Sequence, residues 1–191
     1  MTNKDRIEQI FATTGALLEG HFLLSSGRHS NRYVQCASVL QYPCYTDELA
    51  EELASRFRDD KVEVVIGPAM GGIIVAYEVA RKLGVKGMFC ERENGKMKLR
   101  RGFTVAPGQR VLVVEDVITT GGSVREVMDV VREQGGEVIG VAALVDRSGG
   151  KVDFGVKTEA ALVVDIETYE PDNCPLCKAG QIQLVKPGSR S

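Results

Sequence analysis

Two adjacent carboxylates, Glu115 and Asp116, end the apolar run Val111-Leu112-Val113-Val114, and Val117, Ile118, Thr119, Thr120, Gly121, Gly122 and Ser123 follow before a helical pattern carrying Val127, Val130 and Val131. Glycines let backbone N–H groups approach an anion closely, the hydroxyls of Thr119, Thr120 and Ser123 can donate to phosphate oxygens, and the dipole of the next helix favours negative charge. This half of the segment reads as a phosphate cradle. Carboxylates repel a phosphate set directly on them, so Glu115 and Asp116 must face donors such as sugar hydroxyls, or Mg²⁺. Two neighbouring acids at the end of a buried strand also cost desolvation and mutual repulsion unless a ligand compensates. Phosphate, polyol and metal together describe a phosphorylated sugar.

The elements that must position these residues follow from the apolar pattern. Short apolar strands alternate with helices: Val62–Ile66, then Ile73–Leu83, Val85–Cys90, Val111–Val114, Val124–Gln134 and Val138–Val145, with a further strand at Ala160–Val164. This alternation predicts an α/β fold, a mostly parallel central sheet flanked by helices. In such a sheet ligands gather beyond the carboxyl ends of the strands, so Gly67-Pro68-Ala69-Met70-Gly71-Gly72, Glu91-Arg92, Glu115-Asp116 and Asp146-Arg147 are expected at one edge. Upstream, Ile7, Ile10, Phe11 and Leu17 mark a helix, two short extended pieces flank a turn at Ser25–Asn31, and Thr46 reads as the N-cap of a helix burying Leu49, Leu53 and Phe57. The chain divides into N-terminal elements over 1–45, an α/β core over 46–168 and an irregular extension over 169–191.

Composition limits the function classes. The 191 residues are 43% hydrophobic, enough for one substantial core, and 24 basic against 26 acidic residues give a net charge of -2. No uniform basic field exists for nucleic acid or an anionic membrane surface. No apolar run approaches a bilayer span and the start lacks a secretory pattern, so a cytoplasmic protein is expected. The five cysteines are too few for a disulfide framework; Cys36, Cys44 and Cys90 read as small buried groups. Cys174-Pro175-Leu176-Cys177 has metal-knuckle spacing, but a four-ligand zinc site needs two more ligands and no second pair is visible. His29 reads as an exposed turn residue without a catalytic role. Neither Gly-x-x-x-x-Gly-Lys-[Ser/Thr] nor Gly-x-Gly-x-x-Gly occurs, which argues against P-loop hydrolysis and dinucleotide binding.

The segment Val111–Ser123 resembles the phosphoribosyl-diphosphate (PRPP) motif of type I phosphoribosyltransferases. Gly20–Arg28, the Gly67-Pro68-Ala69 turn and Asp146-Arg147 narrow the resemblance to the orotate phosphoribosyltransferase family, over nearly the whole chain. The resemblance implies a type I phosphoribosyltransferase fold with a small N-terminal hood, Mg²⁺ carried mainly by PRPP and water, and a homodimer that shares its active sites. It also implies a pentosyl transfer from PRPP to orotate in pyrimidine biosynthesis. Carried over by position, Glu115 and Asp116 bind the ribose hydroxyls, Thr119–Ser123 the 5-phosphate, and Thr119, Arg147 and Tyr33 the orotate. The forked guanidinium of Arg147 suits a carboxylate. Segment 91–102 carries Arg92, Lys96, Lys98, Arg100 and Arg101 against Glu91 and Glu93, reads as a polar loop hinged at Gly95 and Gly102, and suits a departing diphosphate.

The chain departs from the family pattern in having Ser25 and Gly71 at two lysine positions and no histidine in the basic loop, where Lys96 is the best positional match for proton handling. Two other readings stay open: a purine phosphoribosyltransferase, and a non-catalytic PRPP sensor.

Overall fold

The computed structural model describes residues 3–24 and 26–187; Ser25 lies outside them. In chain order the elements are α1 (Asn3–Thr13), β1 (Leu17–Leu23), β2 (His29–Val34), α2 (Ala37–Leu40), α3 (Pro43–Ser55), β3 (Val64–Pro68), α4 (Gly71–Leu83), β4 (Lys86–Glu93), β5 (Lys96–Leu99), β6 (Arg110–Ile118), α5 (Gly122–Glu133), β7 (Glu137–Asp146), β8 (Lys157–Val163), β9 (Thr168–Tyr169), α6 (Pro175–Ala179) and β10 (Leu184–Val185). Six strands form the central sheet in the order β5-β4-β3-β6-β7-β8, parallel except for the edge strand β5.

Strand alternation distributes the core between the two faces of this sheet. Val65, Leu112, Val114, Ala142 and Leu144 point to the side covered by α1, α3 and α4, where Ile10, Phe11, Leu49, Leu53 and Val79 are buried. Val64, Ile66, Val111, Val113 and Val141 point to the other side, against Val124, Val127, Met128 and Val131 of α5. Those four α5 residues recur at helical spacing and form one apolar stripe, so a strand buried on both faces is matched by helices on both faces.

A second sheet, β10-β1-β2-β9, makes the hood. It joins both ends of the chain: β9 pairs with β2 through His29↔Tyr169, and β10 runs parallel to β1 through His21↔Leu184. The residues beyond 168 therefore contribute two strands and a short helix, where an irregular extension was expected.

Several local expectations are corrected. α3 starts at Pro43, whose fixed φ and missing N–H suit the first helical turn; Thr46 lies inside the helix, its hydroxyl donating to the Tyr42 carbonyl at 3.1 Å. His29 is in β2 and 5% exposed, its ring packed against His21 and Cys177. Cys44 is exposed, on the solvent side of α3, whereas Cys36 and Cys90 are buried.

Segment 91–102 is largely a β-hairpin. Asn94 (φ +52°) and Gly95 (φ +79°) make a two-residue turn between Glu93 and Lys96, the geometry Asn-Gly favours because both residues tolerate the left-handed region. The pattern Asn-Gly between alternating residues was the available signal for it.

Candidate active site

The parallel strands bring their carboxyl ends to one edge, and two hollows open there. The smaller, about 250 Å³, is enclosed by the β6–α5 turn: Glu115 at its floor, Thr119 to Ser123 around it, and Arg92 at its rim. The larger, about 1040 Å³, lies between this edge and the hood, bordered by Asp116, Thr119, Tyr33, Arg147 and the tail residues Lys186 and Pro187. Val117, Thr119 and Thr120 line both, so the two are neighbours across one turn.

The turn is shaped by close backbone approaches. Gly121 has φ +76°, and a Cβ there would sit 2.8 Å from ring carbons of Phe154. It precedes the first turn of α5, whose free N–H groups face the smaller hollow and make it suited to an anion. Across the site, a Cβ on Gly71 would lie 2.1 Å from Asp116 Oδ2, and one on Gly72 would lie 3.3 Å from Glu115 Oε1. The residue that replaces an expected lysine at 71 therefore lets α4 approach the acid pair so closely that any side chain there would displace the Asp116 carboxylate.

The two acids are held differently. Glu115 is 8% exposed, and burial, reinforced by the neighbouring Asp116 charge, pushes its carboxyl up to about 9. Its Oε1 accepts from the Asp116 amide at 3.1 Å. Asp116 is half-buried and its Oδ1 accepts from the Val117 amide at 2.9 Å. The free protein thus carries a protonated Glu115 at neutral pH beside a more accessible Asp116, a paired arrangement able to both donate to and accept from hydroxyls.

Beside the larger hollow, Arg147 follows β7 and its amide donates to the Ile118 carbonyl at 2.9 Å, placing it beside the acid strand. Its guanidinium lies over the Tyr33 ring, 5.9 Å from the centroid, and Tyr33 packs against Phe22 at 5.8 Å. Among the described residues Arg147 Nε is buried and has no hydrogen-bond partner. Burial lowers the guanidinium from its ordinary value. It retains its charge, so this is a desolvated cation beside a cavity, with no ion pair to an acidic side chain among the described residues.

Asp146 does not pair with Arg147. Its Oδ1 accepts from the Ser148 amide at 2.7 Å and its Oδ2 from the Gly150 amide at 3.0 Å, which folds the loop that carries Arg147. Cys36 sits under the acid strand, its thiol 3.6 Å from the Asp116 carbonyl and raised well above the usual range by burial; Cys90 is likewise pushed up to about 12. Both are buried neutral thiols.

The structure brings together all the residues singled out in the β6–α5 segment, with Arg92, Tyr33 and Arg147. It does not bring Lys96, which is exposed at the start of β5 and borders neither hollow. In the same hairpin, Arg92 pairs with Glu126 at 2.7 Å, Lys98 with Glu93 at 2.6 Å, Arg100 with Glu93 at 3.2 Å and Arg101 with Glu91 at 3.1 Å. Lys96 has no ion pair among the described residues. Sequence reading missed the tail residues Lys186 and Pro187, and also the clamp in which Arg28 donates to the Thr168 hydroxyl and carbonyl, each at 2.9 Å, and pairs with Glu170. No local pattern signals contacts between residues 140 positions apart.

A model of the phosphoribosyl transferase domain matches residues 38–157. The orotate phosphoribosyltransferase of Desulforamulus reducens is 65% identical over 188 residues, 98% of each chain. That of Thermotoga maritima is 58% identical over 184 residues, 96% of this chain and 98% of its own. The chain belongs to the orotate phosphoribosyltransferase family. A solved orotate phosphoribosyltransferase from Aeropyrum pernix matches with TM-score 0.67 at 29% identity, covering 82% of this chain and 93% of that one. An adenine phosphoribosyltransferase from Rhodothermus marinus reaches TM-score 0.64 at 23% identity, over 85% of this chain and 98% of its own, and shows a shared fold alone. No helix among the described residues is long and apolar enough to cross a membrane.

Proposed function

We propose that the chain transfers the ribose 5-phosphate group of PRPP to N1 of orotate, releasing orotidine 5′-monophosphate and diphosphate in pyrimidine nucleotide synthesis. The observation that carries this reading is the unpartnered, buried guanidinium nitrogen of Arg147 beside the larger hollow, one turn from a glycine-rich anion cradle. A carboxylated pyrimidine supplies the missing anion, and an uncharged purine does not. A buried cation left unmet costs more than one paired with a carboxylate, so the site gains selectivity from the substrate's charge.

In this reading Thr119 to Ser123 hold the 5-phosphate, Glu115 and Asp116 hold the ribose hydroxyls, and Tyr33, Thr119 and Arg147 set the orotate ring against C1. The C1–O bond to diphosphate breaks as the N1–C1 bond forms, and the pentose gains positive charge between them. The ionised carboxylate of Asp116 stabilises that charge while the protonated Glu115 donates to a hydroxyl, and binding both substrates in one cleft removes the entropy cost of their encounter. The acid pair presents only hard oxygen donors, which fit Mg²⁺; the ion would be held mainly by PRPP oxygens and water, with Asp116 as the protein's contribution. Bound Mg²⁺ supplies positive charge to the diphosphate.

Lys96, exposed and without an ion pair, is the cation proposed to neutralise and protonate the departing diphosphate, which requires the hairpin to move or a second protomer to present it. A homodimer is supported by Met70, at the N-cap of α4, and Ile74 and Tyr77 along it, which are exposed at i, i+4 and i+7 spacing and form an apolar stripe. Light scattering is expected to give twice the chain mass.

Incubation with PRPP, Mg²⁺ and orotate is expected to release diphosphate as orotate is consumed. Release with adenine or hypoxanthine instead would favour a purine enzyme, and no release with any base would favour a sensor.

A further inference from the structure

Outside the active site, four side chains converge on the hood, over its two inner strands. His21 on β1, His29 on β2, and Cys174 and Cys177 on either side of the start of α6 each offer one atom, and the four atoms all lie within 4.8 Å of one another. His21 Nε2 is 3.1 Å from His29 Nδ1, 3.5 Å from Cys174 Sγ and 3.6 Å from Cys177 Sγ; Cys177 Sγ is 3.3 Å from His29 Nδ1. Both histidines and Cys174 are buried.

These separations match a tetrahedron around one ion. Zinc bonds of about 2.0–2.1 Å to nitrogen and about 2.3 Å to sulfur, at tetrahedral angles, put N···N near about 3.3 Å and N···S near about 3.6 Å. The outer ring nitrogen of His21 is also committed in the expected way. Its Nδ1 lies 3.1 Å from the Ile182 carbonyl oxygen, which can only accept, so Nδ1 carries the proton. The neutral ring then turns a bare Nε2 lone pair toward the other three atoms, the second-shell pattern of a metal-bound histidine.

We infer that His21, His29, Cys174 and Cys177 form a structural Zn²⁺ site that fastens the C-terminal segment to the hood sheet. Two imidazoles and two thiolates in a closed tetrahedron select zinc over the hard ions that suit PRPP. The location gives the ion its task. His21 and His29 stand where β10 and β9 join the hood, and the segment between those strands supplies both cysteines. The ion thereby fixes the stretch that ends at Lys186 and Pro187, on the wall of the larger hollow. The inference is independent of which base the enzyme uses.

The full-length protein, purified without chelators, is expected to contain one Zn²⁺ per chain by elemental analysis. The double variant Cys174→Ser, Cys177→Ser should hold at least about tenfold less, a discrimination expected for thiolate ligands, whereas Cys44→Ser, which changes an exposed thiol elsewhere, should retain it. After exchange, Co²⁺ should give thiolate-to-metal charge transfer and the intense visible bands of a tetrahedral centre. Zinc content undiminished in the double variant would mark an ion bound elsewhere and overturn the inference. So would a natural chain that lacks zinc and shows no such Co²⁺ spectrum, a measurement that decides the matter even where the double variant does not fold.

Discussion

The smaller and the larger hollow are built in opposite ways. The smaller is enclosed almost wholly by residues 115–126, one strand end, one turn and one helix start, with Arg92 as its single distant contributor. The larger draws on the hood strands, the β6 end, the loop after β7 and the tail. A grip on phosphate needs backbone amides in a fixed array, which one contiguous turn provides. Recognition of a ring needs walls on several sides, which requires segments distant along the chain to dock. Damage to the first hollow should therefore strike every reaction of PRPP, and damage to the second should strike the base.

The largest effect is expected at Asp116, which borders the larger hollow next to the turn that lines both. Asp116→Asn is expected to lower kcat roughly 10²- to 10³-fold in a folded protein, the scale of losing one transition-state electrostatic partner; steady-state rates with thermal melts as a folding control check it. A near-normal rate would remove Asp116 from the chemistry. Next in size, Arg147→Ala should raise KM for orotate about 10- to 100-fold while leaving KM for PRPP within about twofold, as expected when a charged contact to one substrate alone is lost. Equal changes in both constants would show that the hollows are not functionally separate.

Gly121→Ala should affect the other side. The left-handed backbone there costs an alanine about 1–2 kcal/mol, and its Cβ would also press on Phe154. Denaturant melts should show that loss together with a several-fold rise in KM for PRPP.

The smallest expected effect concerns pH. The Glu115 carboxyl holds its proton up to about 9 in the folded chain against an ordinary value of 4.5. Between those values the folded state binds the extra proton, so this group's contribution to stability falls as pH rises. Glu115→Gln should flatten that slope, with Tm a few degrees less sensitive to pH. An unchanged slope would place the carboxyl in a more solvated setting.

Much of the site could be read before the fold was known because the β6–α5 turn is local. Glu115, then hydroxyls and glycines, follow one another along the chain as they surround the smaller hollow, with Asp116 turned to the larger one. The central sheet was legible for a related reason: strands buried on both faces are continuous apolar runs. His29 is buried, not exposed, because Cys177, about 150 residues away, and His21 pack on its ring, and Thr46 is no cap because the proline three residues earlier starts the helix first. Segment 91–102 is polar enough to suggest a loop, yet its Asn94-Gly95 pair encodes a two-residue turn.

The sequence by itself determined the phosphate cradle, the acid pair and the layered core, since each rests on neighbours in the chain and on a periodicity of two or of helical spacing. Tertiary structure alone decided that β1 and β2 share one sheet with β9 and β10, that Arg147 has no ion pair among the described residues, and that two histidines join the Cys174–Cys177 pair. The physical reason is distance along the chain: the histidines lie diagonally across a hairpin and the cysteines about 150 residues further on. Only strand pairing in the folded hood brings their lone pairs to a common point.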